Sequence, residues 1–321
     1  NSSQIQEVDK ENSTCMTQQI APTMFSLKDF KIGHQIGKGK YGRVYMATER
    51  TSGYIVALKI LLKQELRHEK LLNQLRREVE IQGNLSHPNI LKLYGYFQDE
   101  KRVVMILELS PYGTLYDILK RYQRFTERRA SRYIAQIAHA LKYLHQNHVI
   151  HRDIKPENLL FGLRGELKLA DFGWSTYSMG SQHTIVCGTL DYLSPEMVMR
   201  IPYNEKVDVW ALGIICYELL VGTPPFVAKG FATTCRRIIF ENVEIPKCIS
   251  FEAKDFILSI FRKFKLLQKD QNNRPSVEVV LNHPWIRMYN DTTPIPRIRA
   301  HATNVQPPIT NTLSEIYENS T

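Results

Sequence analysis

Three oxygen-bearing side chains stand close together in the chain: Asp153 and Asn158 in His151-Arg152-Asp153-Ile154-Lys155-Pro156-Glu157-Asn158, and Asp171 in Asp171-Phe172-Gly173. Asp153 can accept a proton from a hydroxyl. Asn158 and Asp171 offer the hard oxygen donors that divalent cations favour. Either motif alone is a weak signal. Their order, with apolar Leu159, Leu160, Leu167 and Leu169 between them, makes one strong signal.

The elements that must position these groups lie on both sides. Upstream, residues 30–36 alternate apolar and polar, which predicts a half-buried strand. Gly37-Lys38-Gly39-Lys40-Tyr41-Gly42-Arg43-Val44 follows, a G-x-G-x-x-G-x-V. The same glycines open dinucleotide-binding folds, where a helix comes next. Here Val44-Tyr45-Met46-Ala47-Thr48 continues as a strand, and a turn at Thr51-Ser52-Gly53 leads into another over residues 54–60. A strand-loop-strand unit predicts a lid whose glycines let the backbone lie over phosphates without Cβ clashes. The next strand carries Val56-Ala57-Leu58-Lys59. Lys59 on a mostly apolar strand needs a partner, and Glu78 in the helical stretch 74–82 is the candidate. Residues 103–107 form a further apolar strand. Glu108-Leu109-Ser110-Pro111-Tyr112-Gly113 reads as a linker, since Pro and Gly break regular structure. Beyond it the pattern is largely helical. Thr126 is the predicted N-cap of a helix with Ile134, Ile137, Leu141 and Leu144 on one face. Residues 208–221 are apolar all round, the mark of a buried helix. Glu196, in Ser194-Pro195-Glu196, a variant of the A-P-E motif, would need a buried cation, for which Arg274 is the candidate. Trp285 reads as a core anchor.

Composition sets the bounds. The chain has 321 residues, 43% of them apolar and 23% charged, which is ordinary for a globular protein with a substantial core. The longest nearly apolar run, residues 209–221, is too short to span a bilayer and contains Glu218. Five cysteines, odd in number and without metal-ligand spacing, read as reduced thiols of the cytosol or nucleus. The net charge of +10 permits an acidic partner, nucleic acid or anionic lipid, or serves solubility alone. No membrane contact and no sequence-specific nucleic-acid binding are expected. Residues 1–24 are polar and aperiodic and predict a disordered tail, with Lys10-Glu11-Asn12 as a minor candidate degradation signal. Residues 289–321 predict a second flexible tail.

His151 to Asn158 in this order, with Asp171-Phe172-Gly173, Val56-Ala57-Leu58-Lys59 and the glycine lid, resembles the eukaryotic protein kinases. The resemblance implies an α+β, bilobal protein kinase fold over residues 25–288. A small, mainly β N-lobe with one key helix covers about 25–107, a hinge about 108–113, and a larger, mainly α C-lobe about 114–288. Gln82, Asp171-Phe172-Gly173-Trp174-Ser175 and Cys187-Gly188-Thr189-Leu190-Asp191-Tyr192-Leu193 resemble the Aurora family of mitotic serine/threonine kinases in particular. Trp174 and Gln82 separate it from other basic-directed families.

That resemblance implies ATP and Mg2+, with the metal on Asn158 and Asp171. Gly37, Lys38, Gly39 and Gly42 would cover the phosphates, and Lys59, held by Glu78, would contact them. Val44, Ala57 and Leu160 would sandwich adenine beside the Glu108 and Ser110 backbone, with Leu107 at the gatekeeper position. Asp153 would act on the substrate hydroxyl, Lys155 would neutralise the transferred group, and Thr189 would tie the two together. Gln82, Leu93, Phe172 and His151 would stack as a spine, with the Gln82 amide satisfied by water or a backbone group. Glu157 and Glu218 match positions that bind an Arg two residues before the phosphorylated Ser or Thr, which implies basic protein substrates. The resemblance also implies an activating or scaffold protein on the N-lobe and a place at the spindle, centrosome or centromere/kinetochore, in cytoplasm and nucleus. A nucleotide-binding scaffold without catalysis would tolerate loss of Lys59, Asp153, Asn158 or Asp171, and all four are present.

One position departs from the family. Its activating Thr precedes the Cys of C-G-T by two residues; here that position is Ile185. Thr184 stands one residue earlier, behind Gln182 and His183 rather than arginines. Arg77 and Arg152, which would grip a phosphate, are retained. Either Thr184 is a shifted phosphosite, or a partner orders the segment.

Overall fold

The computed structural model describes residues 25–38, 42–66, 69–178, 183–261 and 273–289. The expectations for residues 1–24 and, Tyr289 apart, for 289–321 lie outside the described residues.

The first lobe is built on β1 (Phe30–Lys38), β2 (Gly42–Glu49), β3 (Ile55–Leu62), α1 (Glu69–Gly83), β4 (Leu93–Gln98) and β5 (Arg102–Leu107). The five strands form one antiparallel sheet in the order β1-β2-β3-β5-β4. β3 and β5, rich in β-branched and other apolar residues, sit inside the sheet and are largely buried. β1 differs from the sequence expectation. It forms, but only Phe30 is buried, and Ile32 is 43% exposed. It is an edge strand with register shifts between Ile32 and Gln35, so its alternation is not seated on a core.

After the linker come α2 (Leu115–Tyr122), α3 (Glu127–Gln146), β6 (Val149–Ile150), β7 (Leu159–Phe161), β8 (Leu167–Leu169) and β9 (Thr176–Tyr177). They are followed by α4 (Pro195–Val198), α5 (Lys206–Val221), α6 (Phe231–Phe240), α7 (Phe251–Phe261), α8 (Val277–Leu281) and α9 (Pro284–Met288). The arrangement is α+β in two lobes. Thr126 caps α3 as expected, accepting from the Arg129 amide, and Ile134, Ile137, Leu141 and Leu144 are buried. α5 is buried from Val207 to Leu220 and forms the axis of the second core, beside α3 and α7. Trp285 is fully buried against Phe256. The four described cysteines, Cys187, Cys216, Cys235 and Cys248, are free thiols. Among the described residues no helix is long and apolar enough to cross a membrane.

Candidate active site

The loop between β6 and β7 is shaped chiefly by one carboxylate from the start of α5. Asp208 accepts the backbone N–H groups of His151 (3.0 Å) and Arg152 (2.9 Å) and meets Nε2 of His145 at 3.0 Å. Burial would raise its pKa, but the His145 bond and the neighbouring donors hold it below the usual carboxylate range. This grip holds Arg152 in a left-handed conformation, φ 69°, that a residue with a Cβ rarely adopts. Burial pushes the His151 imidazole toward its neutral form. Its Nδ1 accepts from the Asp153 amide at 3.3 Å, so Nε2 carries the proton and donates to the Ala170 carbonyl at 3.2 Å. The ring packs edge-on against Phe172, centroids 4.9 Å apart, which joins the β6–β7 loop to the Asp171-Phe172-Gly173 turn.

Within this frame the predicted groups converge. Lys155 Nζ lies 2.9 Å from Asp153 Oδ2 and donates to Thr189 Oγ1 at 2.7 Å. Thr189 Oγ1 in turn reaches Asp153 Oδ1 at 3.4 Å. Thr189 can approach because Gly188 precedes it: a Cβ there would stand 2.7 Å from the Arg152 carbonyl oxygen, at φ 99°. Asn158 spends its amide nitrogen on Asp153, 2.8 Å to the carbonyl and 3.0 Å to Oδ2. Its own carbonyl oxygen is thereby the end turned to other duty. Asp171 is exposed, with φ 65° and Oδ1 accepting from the Gly173 amide at 3.3 Å. Two oxygen donors fit a hard cation that takes its remaining ligands from water and phosphate. Among the described residues no group of three or more His, Cys, Asp or Glu could enclose an ion.

Lys59, from the middle of β3, meets Glu78 Oε1 of α1 at 2.5 Å. Burial alone would lower its pKa, yet Glu78 and Asp171 together hold it above the ordinary lysine value, so it is charged. Ala57, paired with Leu107 across β3 and β5, belongs to an apolar cluster with Val44, Leu160 and Ala170. That cluster draws on both lobes and leads into the linker at Glu108 and Ser110. The Ser110 hydroxyl is buried, with no protein partner among the described residues. Gly37, Lys38 and Gly42 flank the lid; Gly39 lies outside the described residues. A Cβ at Gly42 would fall 2.7 Å from the Ile60 carbonyl oxygen, so β2 can approach β3 there only as glycine. Gln82, Leu93, Phe172 and His151 are all buried. The Gln82 amide nitrogen donates to the Leu91 carbonyl at 2.9 Å, while its Oε1 has no partner among the described residues. The Glu196 and Arg274 side chains meet in two bonds, 2.7 and 3.2 Å, and both are buried.

The substrate-side and regulatory residues separate. Glu157 is exposed beside the loop, whereas Glu218 is buried on α5 and accepts from the Tyr192 hydroxyl at 2.7 Å. Thr184 and Ile185 are exposed, as is Arg77 on α1. The Arg152 guanidinium is engaged, donating from Nε to the Trp174 carbonyl at 2.6 Å and from Nη1 to the Tyr203 hydroxyl at 3.2 Å.

Residues 30–286 match the family model described as protein kinase domain. An Aurora kinase of Schizosaccharomyces pombe is 52% identical over 269 residues, which cover 84% of this chain and 74% of that one. The serine/threonine-protein kinase Aurora-1 of Arabidopsis thaliana is 49% identical over 280 residues, 87% of this chain and 93% of that one. Aurora kinase C of Mus musculus is 48% identical over 266 residues, 83% of this chain and 94% of its own length. The chain belongs to the Aurora family of protein kinases. It is a serine/threonine kinase with the bilobal α+β fold, and its family takes ATP as phosphoryl donor with a divalent metal.

In this Aurora-family chain several supporting residues were not legible as such. Asp208 and His145 hold the catalytic loop from behind, and an acid at the start of an otherwise apolar helix was the available signal. The resemblance implies a role for the Glu108 backbone, and its side chain is also used. Oε1 meets Lys168 of β8 at 2.7 Å and Oε2 accepts the amide of Lys92, directly before β4, at 3.2 Å. One hinge carboxylate therefore ties β8 of the second lobe to the chain entering β4 of the first. Lys168→Met is expected to raise the KM for ATP about fivefold with kcat nearly unchanged, as losing about 1 kcal/mol of lobe alignment would. Steady-state kinetics at varied ATP check this, and an unchanged KM would count against the tie.

Proposed function

We propose that this kinase phosphorylates Ser and Thr in basic sequence contexts, with Mg2+ held by Asn158 and Asp171. The observation that carries the substrate reading is the acidic group around Tyr192: Glu218, Glu157 and Asp191 are close enough that the latter two act on the Glu218 charge. A guanidinium is the natural complement of such a group.

Phosphoryl transfer is chiefly a matter of positioning and charge neutralisation. Lys59, charged and fixed by Glu78, orients the phosphates beneath the glycine lid. Asp153 orients the substrate hydroxyl and accepts its proton, while Lys155, steadied by Thr189, offsets charge on the transferred group. The metal, when bound, supplies further neutralisation of the phosphate oxygens. The Aurora resemblance supports a mitotic role in chromosome segregation and at the spindle, centrosome or centromere/kinetochore, with histone tails among the substrates. It supports an activating or scaffold protein on the N-lobe too, where Ile32, Leu62 and Leu72 are exposed apolar side chains.

Burial raises the Glu218 pKa to about 7, opposed by the Tyr192 hydroxyl and aided by Glu157 and Asp191. Only the ionised carboxylate pairs with arginine, so the KM for a peptide with Arg two residues before the acceptor should fall as pH rises through about 7. Glu218→Ala should lower kcat/KM for that peptide by about tenfold to a hundredfold and remove its extra pH dependence. A matched peptide without the Arg should be little affected. Equal losses on both peptides would refute the assignment.

A further inference from the structure

Ile185 has no hydroxyl, so the position at which the Aurora resemblance implies an activating phosphate cannot be phosphorylated here. The arginine that would meet that phosphate is nonetheless connected to the same stretch of main chain. Arg152 Nη1 donates to the Tyr203 hydroxyl at 3.2 Å, and that hydroxyl donates to the Ile185 carbonyl at 2.8 Å. The phenol is thus used as acceptor and as donor, between a guanidinium and the activation segment. It is well fixed. Tyr203 is 4% exposed, against 59% for Ile185. Its amide donates to the His183 carbonyl at 3.1 Å, in an isolated antiparallel bridge between the two residues. The His183 ring lies against the Tyr203 ring, centroids 5.8 Å apart, and its Nε2 meets the Tyr177 carbonyl at 3.1 Å. Burial raises the Tyr203 pKa, so the proton it donates is retained at neutral pH.

We propose that Tyr203 is a positioning residue that replaces the activation-segment phosphate in this kinase, carrying the grip of Arg152 to the backbone at Ile185. Three residues further on, Gly188 and Thr189 close against Arg152, Asp153 and Lys155. Fixing the chain at 185 therefore fixes the threonine that steadies the catalytic pair. Neither phosphorylation of Thr184 nor a bound partner is required for that ordering. Both polar contacts depend on one hydroxyl, and Ile185 contributes only its carbonyl, so its side chain is free to be apolar.

The test compares the wild-type chain with Tyr203→Phe, which keeps the ring and its packing, in a peptide kinase assay before and after phosphatase treatment. Wild-type kcat is expected to be unchanged by phosphatase. Tyr203→Phe is expected to lower kcat about tenfold, because a charge-assisted bond and the bond it supports are both lost. The KM for ATP should move little. Amide hydrogen exchange over residues 183–189 should quicken in the variant. Phosphothreonine genetically encoded at position 185 in the Tyr203→Phe background should restore most of the lost kcat, because Arg152, released from the phenol, pairs well with phosphate. A merely structural defect would not be rescued in this way. Wild-type kcat in Tyr203→Phe, activity abolished by phosphatase, unchanged exchange, or no rescue by the phosphothreonine would each overturn the proposal.

Discussion

Asp153→Asn is expected to lower kcat about a thousandfold, the largest effect of any single substitution in the chain. Asn has nearly the same shape, so the packing of the loop survives. It cannot accept a proton, and it places an amide where Lys155 Nζ, Thr189 Oγ1 and Asn158 Nδ2 now find a carboxylate. Three partners that all act as donors toward Asp153 lose a full negative charge at once. The KM for ATP should stay within about threefold of wild type, because Lys59, Ala57 and Leu160 are untouched. Single-turnover kinetics with saturating ATP check the size of the effect. A loss smaller than about tenfold would show that the hydroxyl needs no carboxylate partner here.

Arg274→Ala is expected to have the largest effect on stability. Its guanidinium donates to both oxygens of Glu196 and to the Lys206 carbonyl at 2.7 Å, and lies 5.0 Å from the centre of the Trp210 ring. Removing one member leaves the Glu196 carboxylate buried without its cation, at a cost of about 3–5 kcal/mol. For a domain of this size that lowers Tm by about 10 °C. The paired replacement Glu196→Leu with Arg274→Met should cost far less, since neither charge is then buried alone. Differential scanning calorimetry of the single and double variants decides it. If the double variant were as unstable as Arg274→Ala, the loss would lie in packing against Trp210 rather than in the uncompensated charge.

These two cases also show what could be read from the residues in order. Asp153, Asn158 and Asp171 sit at fixed short offsets, and Lys59 interrupts an apolar strand, so type and spacing announce them; Lys155 follows from the kinase resemblance. Glu196 and Arg274 stand 78 positions apart. The pair is legible through the motif, Ser194-Pro195-Glu196 being a variant of A-P-E whose Glu needs a buried cation. Contacts between a side chain and a distant backbone carry no such signal. Asp208 binds the amides of His151 and Arg152 from 57 and 56 positions away, and a backbone N–H looks the same at every residue. The bond from Tyr203 to the Ile185 carbonyl is hidden in the same way, as is the use of the Glu108 side chain. Arg152 was expected to await a phosphate; the tyrosine it meets instead lies 51 positions on, outside any short motif. β1 is more exposed than its alternation predicts, because alternation reports a strand without saying whether that strand is at the sheet's edge.

The most direct test is transfer of labelled phosphate from ATP to serine in a basic peptide, comparing the wild-type chain with Asp153→Asn. The predicted result is steady incorporation on serine by the wild type and about a thousandfold less by the variant, with both proteins folded by circular dichroism. Equal incorporation by the two would contradict the assignment of Asp153 and of the loop built around it.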